Sequence, residues 1–117
     1  MIVVVSQAWT LDENEHADEY IRLYKEFLPF HLQHKGFKGR KLIRGVVDRT
    51  HFTNLRFFDS VECYEELIKI EGYGEHIMKL GEHLKPYTIN PKEYMEVVLE
   101  DFFDKKTRRQ RNAEINQ

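Results

Sequence analysis

The chain opens on a run of apolar positions that does not alternate. Residues 2–9, IVVVSQAW, are rich in β-branched side chains and start with four apolar residues in succession. Such a run predicts a strand covered on both faces, because a strand with one wet face would alternate. The period then changes. Asp12 and Glu15 have capping-box spacing, and Ala17, Tyr20, Ile21, Tyr24, Phe27, Leu28 and His31 recur at three- and four-residue steps. This predicts a helix with Asp12 as N-cap and one apolar stripe. Pro29 has no amide hydrogen and is expected to kink or end that helix, with Gly36 as a left-handed cap at its exit.

Residues 38–47 and 51–58 predict two strands joined by the polar Asp48-Arg49-Thr50. In the second of them Asn54, Arg56 and Phe58 share one face, and Thr53, Leu55 and Phe57 share the other. Asp59 and Glu62 repeat the capping-box spacing, opening a helix with Cys63, Tyr64, Leu67 and Ile68 inward. Gly72 and Gly74 interrupt it, and helical spacing resumes with Tyr73, His76, Ile77, Leu80 and Leu84 until Pro86. Residues 94–99, YMEVVL, predict the last strand.

The order β-α-β-β-α-β is the split βαβ pattern, a ferredoxin-like α+β fold with a four-stranded antiparallel sheet. Two helices cover one face of that sheet. The other face, roughly 450 Å² for four strands of this length, is near the largest apolar patch that a soluble monomer exposes. A second copy of the same sheet is the simplest cover, so a homodimer is expected. Residues 1–103 read as one domain. Residues 104–117 carry Lys105, Lys106, Arg108, Arg109 and Arg111 without an apolar period and are expected to form a mobile, solvated tail.

Charged residues make up 32% of the 117-residue chain but nearly cancel, leaving a net charge of −2, which argues against a nucleic-acid partner. The single cysteine, Cys63, excludes an intramolecular disulfide and reads as core. No run approaches the ~20 apolar residues needed to span a bilayer, so the expectation is a cytoplasmic protein without a membrane partner.

Several side chains could carry chemistry. His76 follows the glycine break, and an imidazole there could take a proton from an acidic aromatic substrate; the alternative is a satisfied core histidine. Asn54 and Arg56, flanked by Phe52 and Phe58, would suit a planar anionic or carbonyl-bearing ligand if their face lines a pocket, or a partner's carboxylate if it faces a second copy. Trp9, at the end of the first strand, is a pocket wall or a core residue. Tyr64 and Tyr73 could offer hydroxyl donors but also fit their helical stripes. His31 fits the core stripe of the first helix, and His34 suits the helix end. No metal site is expected, since His31 and His34 have no clear carboxylate or cysteine partner.

Three stretches resemble the antibiotic-biosynthesis-monooxygenase-like members of the dimeric α+β barrel superfamily. They are Phe30-His31-Leu32-Gln33-His34-Lys35-Gly36-Phe37-Lys38-Gly39, Phe57-Phe58-Asp59-Ser60-Val61-Glu62-Cys63-Tyr64 and Glu71-Gly72-Tyr73-Gly74-Glu75-His76-Ile77. The resemblance covers roughly residues 1–100. It implies two ferredoxin-like protomers whose sheets close into a barrel, each with a pocket between sheet and helices. Within that family, cofactor-free oxygenases of aromatic polyketides hold substrate with an Asn and a Trp on the third strand, and Asn54 and Phe58 have a similar spacing here. The haem-degrading branch uses an Asn, a Trp and a His where this chain has Gln7, Phe58 and Ile77, so haem degradation is not the activity implied.

The expected function is therefore a cofactor-independent, monooxygenase-like activity on a small aromatic or quinone-type molecule. His76, Asn54 and Arg56 would carry the reaction, and Trp9, Phe58, Tyr64, Tyr73 and Gln7 would bind substrate. The alternative is a non-catalytic small-molecule-binding or regulatory dimer on the same fold. An RNA-recognition module shares the element order, but HFTNLRFF lacks the Gly-aromatic pattern that it requires.

Overall fold

The computed structural model describes residues 1–86 and 92–101. The elements run β1 (Ile2–Trp9), α1 (Glu15–Glu26), α2 (Leu28–Leu32), β2 (Phe37–Arg44), β3 (His51–Phe58), α3 (Val61–Leu67), α4 (Tyr73–Gly81) and β4 (Glu93–Glu96). The four strands form one antiparallel sheet in the order β2-β3-β1-β4, the ferredoxin-like arrangement. The expected tail, 104–117, lies outside the described residues. Among the described residues no helix is long and apolar enough to cross a membrane.

Each expected helix is two. Pro29 cannot donate to the carbonyl of Lys25, so α1 ends and α2 restarts with the proline in its first turn. Two carbonyls at that break, which the Phe27 amide also meets, are reached from the sheet: Arg40 donates to Tyr24 O at 2.7 Å and to Lys25 O at 3.5 Å. The second break is at Gly72, which takes the left-handed conformation, φ 88°, as the N-cap of α4.

Five local expectations are corrected. Asp12 is not the terminal cap of α1, but its Oδ1 accepts from the amides of Asn14 and His16, both at 2.9 Å, and so performs the capping chemistry from one turn back. At α3 the cap is Ser60, whose Oγ accepts from the Cys63 amide, while Asp59 pairs with Lys38 at 3.4 Å. Gly36 is not left-handed. It is glycine because a Cβ there would come within 2.4 Å of Cys63 Sγ. The strand expected over 38–47 spans 37–44, since the chain turns at Gly45 and leaves Val46 and Val47 in solvent; β4 covers 93–96 instead of 94–99.

Register sorts the sheet into two faces. Ile2, Val4, Ser6 and Ala8 on β1 oppose Phe58, Arg56, Asn54 and Phe52 on β3, and this face packs on the helices. Val3, Val5, Gln7 and Trp9 oppose Phe57, Leu55, Thr53 and His51 on the other face, which no element among the described residues covers. The apolar start of β1 is thus buried on one side, at Val4, and only half-buried on the other.

The buried core under the helices falls into two clusters, with half-buried Leu80 packed against both. One cluster gathers Val4, Phe27, Phe58, Tyr64, Leu67 and Tyr73; a second gathers Ala8, Ala17, Tyr20 and Phe52. Between Phe58 and Phe52 on β3 stand Arg56 and Asn54, beside Ser6 of β1. A polar seam therefore crosses the middle of an otherwise apolar interior.

Candidate functional site

A small cavity of about 20 Å³ opens at this seam, lined by Tyr24, Phe27, His31, Asn54, Arg56, Tyr73, Ile77 and Leu80. Strand β3 supplies Asn54 and Arg56 because its alternation turns every second residue inward. The end of α1 supplies Tyr24, the break beside Pro29 supplies Phe27 and His31, and α4 supplies Tyr73, Ile77 and Leu80. Ile77, 42% exposed, stands at the mouth.

Polar groups do not normally stay unpaired in a protein interior, because each costs about 1–3 kcal/mol. Among the described residues four buried side-chain atoms have no hydrogen-bond partner: Tyr24 Oη, His31 Nε2, Asn54 Oδ1 and Arg56 Nε. All four belong to residues that line this cavity.

Arg56 is 3% exposed. It donates to Tyr64 Oη at 3.4 Å and to Ser6 Oγ, and its guanidinium stands 5.1 Å from the centre of the Tyr64 ring. Among the described residues no carboxylate lies within salt-bridge distance of it. A buried cation without a counter-charge is costly unless an anion reaches it.

His31 donates from Nδ1 to the Phe27 carbonyl at 3.0 Å, which fixes the tautomer and leaves Nε2 as a lone-pair acceptor. Burial, with the positive charges of Arg40 and Arg56 adding to it, pushes the imidazole down to about 4, so the ring is neutral near neutral pH. The hydroxyls of Tyr24 and Tyr73 are pushed up by burial, against the pull of Arg56, and remain protonated.

The expected site residues separate. Asn54, Arg56 and Tyr73 meet at the cavity, and Tyr64 backs Arg56 from behind. Phe58 lies in the apolar cluster between Phe37 and Tyr64, with ring centres 5.7 and 5.6 Å away. Trp9 and Gln7 are on the opposite face: Trp9 stacks on His51 at 4.6 Å, and His51 hydrogen-bonds Gln7. His76 is not among the lining residues. Its Nε2 donates to Leu23 O at 3.0 Å, 3.6 Å from a Glu26 carboxylate oxygen, and its ring meets Phe27 edge-on at 4.4 Å. One step along a helix turns the side chain by about 100°, so Ile77 faces the cavity where His76 faces α1. The residue that sequence reasoning placed in the core, and that the structure places at the cavity, is His31. A signal was present: a titratable ring two residues after a helix-breaking proline.

Among the described residues no group of three or more His, Cys, Asp or Glu could hold a metal ion.

No family profile and no curated protein sequence matches the chain. Solved structures do. An antibiotic biosynthesis monooxygenase is 17% identical with a TM-score of 0.68, covering 85% of this chain and 100% of its own. SnoaB, a cofactor-independent oxygenase from Streptomyces nogalater, is 13% identical with a TM-score of 0.66, covering 86% of this chain and 94% of its own. A conserved protein from Methanosarcina mazei Go1 is 18% identical with a TM-score of 0.65, covering 80% and 86%. At such identities the likeness is one of architecture, and this chain has the ferredoxin-like α+β fold of the antibiotic biosynthesis monooxygenases.

Proposed function

We propose that the seam cavity binds a small aromatic molecule and that the protein is a monooxygenase-like enzyme that works without a bound cofactor. The observation that carries this reading is that all four side chains with an unpartnered buried polar atom line one cavity. The rings of Tyr24, Phe27 and Tyr73 supply flat apolar walls, and Asn54 and Arg56 would stabilise an oxyanion developing on the substrate. Deprotonation makes the substrate electron-rich, and the substrate itself would then reduce O₂. Of the two buried histidines, His31 lines the cavity and has the unpaired nitrogen, and His76 serves by joining α4 to α1.

One observation favours the second reading, a non-catalytic binding or regulatory dimer. A ring held down to about 4 accepts a hydrogen bond well but abstracts a proton weakly. Oxygen uptake with a panel of phenols and hydroquinones separates the two. Turnover that falls by roughly 10²-fold in Asn54→Ala, with the fold intact, supports the enzyme. Ligand binding without uptake supports the regulator.

The homodimer is part of the same proposal. The uncovered face presents Val3, Val5, Leu55 and Phe57 half-buried, with Ile43 and Met95 exposed. A second sheet over it would place Trp9, His51 and Gln7 between the protomers. Light scattering at micromolar concentration should give twice 14.1 kDa; a clean monomer would contradict the barrel.

A further inference from the structure

The seam carries more positive charge than a pocket for a neutral molecule needs. Arg40 on β2 is the direct cross-strand partner of Arg56 on β3, so two guanidiniums rise side by side from the same sheet face. Like charges directly opposite one another destabilise an antiparallel pair. Arg40 is anchored to the carbonyls of Tyr24 and Lys25 and lies 4.3 Å from the centre of the Tyr24 ring, whose other surroundings include the cavity. Every ion pair among the described residues lies elsewhere: Glu19 and Glu26 hold Arg22, Glu66 holds His34, Asp59 holds Lys38, and Glu26 also faces His76. None of these carboxylates neutralises Arg40 or Arg56.

Size limits the ligand. The cavity has a volume of about 20 Å³, room for about one water, so a ligand of one ring with small substituents enters only as Ile77 at the mouth moves aside. Chemistry limits it further. Arg56 Nε can only donate, and His31 Nε2, with Nδ1 committed to Phe27 O, can only accept.

Resting on the reading of the seam as a ligand pocket, we propose that its ligand is a single-ring aromatic oxyanion, a phenolate or an arenecarboxylate, whose negative oxygen bonds Arg56 Nε. Arg40 is a charge-selecting residue: it does not line the cavity, but it adds a second positive field behind Tyr24. A hydroxyl elsewhere on the ring completes the match by donating to His31 Nε2.

The test titrates the unmodified protein with benzoate, 4-nitrophenolate and the neutral, similarly sized benzyl alcohol. Binding is followed by calorimetry and by the NMR shifts of the Ile77 methyls at the cavity mouth. The expected result is that at least one anion binds tenfold or more tighter than benzyl alcohol and moves the Ile77 signals, and that added salt weakens it. Which anion does so distinguishes carboxylate from phenolate. Arg40→Gln, at a half-exposed position, should cut the anion's affinity several-fold and leave benzyl alcohol unchanged. Equal binding of benzyl alcohol and both anions would overturn the charge selection and leave the pocket standing. If no probe shifts Ile77, the pocket reading itself fails and this inference with it.

Discussion

The helical layer is broken twice, and each break carries a buried histidine, but the two histidines do different work. At the break made by Pro29, His31 lines the cavity, commits one nitrogen to the Phe27 carbonyl and leaves the other buried without a partner. At the break made by Gly72, His76 donates to Leu23 O on the neighbouring helix and packs edge-on against Phe27. Both are nearly inaccessible, at 2% and 8% exposure. Burial therefore does not separate a structural histidine from a functional one; the second nitrogen does. At the proline break Arg40 also reaches the carbonyls of Tyr24 and Lys25 from the sheet, which sets a cation beside the site. The glycine break only redirects the chain.

The largest expected difference concerns acid. His31 has a folded-state value of about 4 against an ordinary 6.5, so below pH 6.5 the unfolded chain binds the extra proton. The stability linked to this ring is complete above pH 6.5 and is lost as the pH falls toward 4, by up to about 3 kcal/mol. Urea unfolding at pH 7 and at pH 4.5 should show this loss, His31→Leu should remove most of it, and His76→Leu should retain it. If His31→Leu keeps the same slope, the ring is not held neutral.

His76→Ala tests the other half. Losing the bond to Leu23 O and the contact with Phe27 should cost about 2 kcal/mol, seen as a lower melting temperature. Affinity for an anion probe per folded molecule should stay within a few-fold of the unmodified protein. Normal stability with abolished binding or turnover would return the chemistry to His76.

The glycines at the second break give the smallest effects, of opposite sign. Gly72→Ala forces a Cβ into a left-handed conformation and should cost about 1–2 kcal/mol. Gly74 lies within α4, where an added Cβ would meet nothing within 4 Å, so Gly74→Ala should stabilise by about 0.5–1 kcal/mol. Two losses would mean that Gly74 is also needed for space.

Element order and the faces of β3 were legible in the sequence because they rest on period. The alternation through Phe52, Asn54, Arg56 and Phe58 placed the amide and guanidinium together, and the register confirms one inward face. Which element that face meets could not be read from one strand. Pro29 and Gly72 marked the breaks correctly, but a break does not show which way the next residue points. That is why His76 drew attention while its neighbour Ile77 lines the cavity. His31 was hidden by its fit to the apolar stripe of α1. Gly36 was misread because close approach to Cys63, like a left-handed turn, selects glycine, and sequence alone does not distinguish the two.

The central claim is that His31, and not His76, meets the ligand. Nitrogen-15 NMR of the histidine side chains during addition of a hydroxybenzoate reads this directly. The account predicts that His31 Nε2 shifts as its lone pair accepts the ligand's hydroxyl proton, while both nitrogens of His76 stay in place. A shift at His76 with His31 unmoved would contradict it.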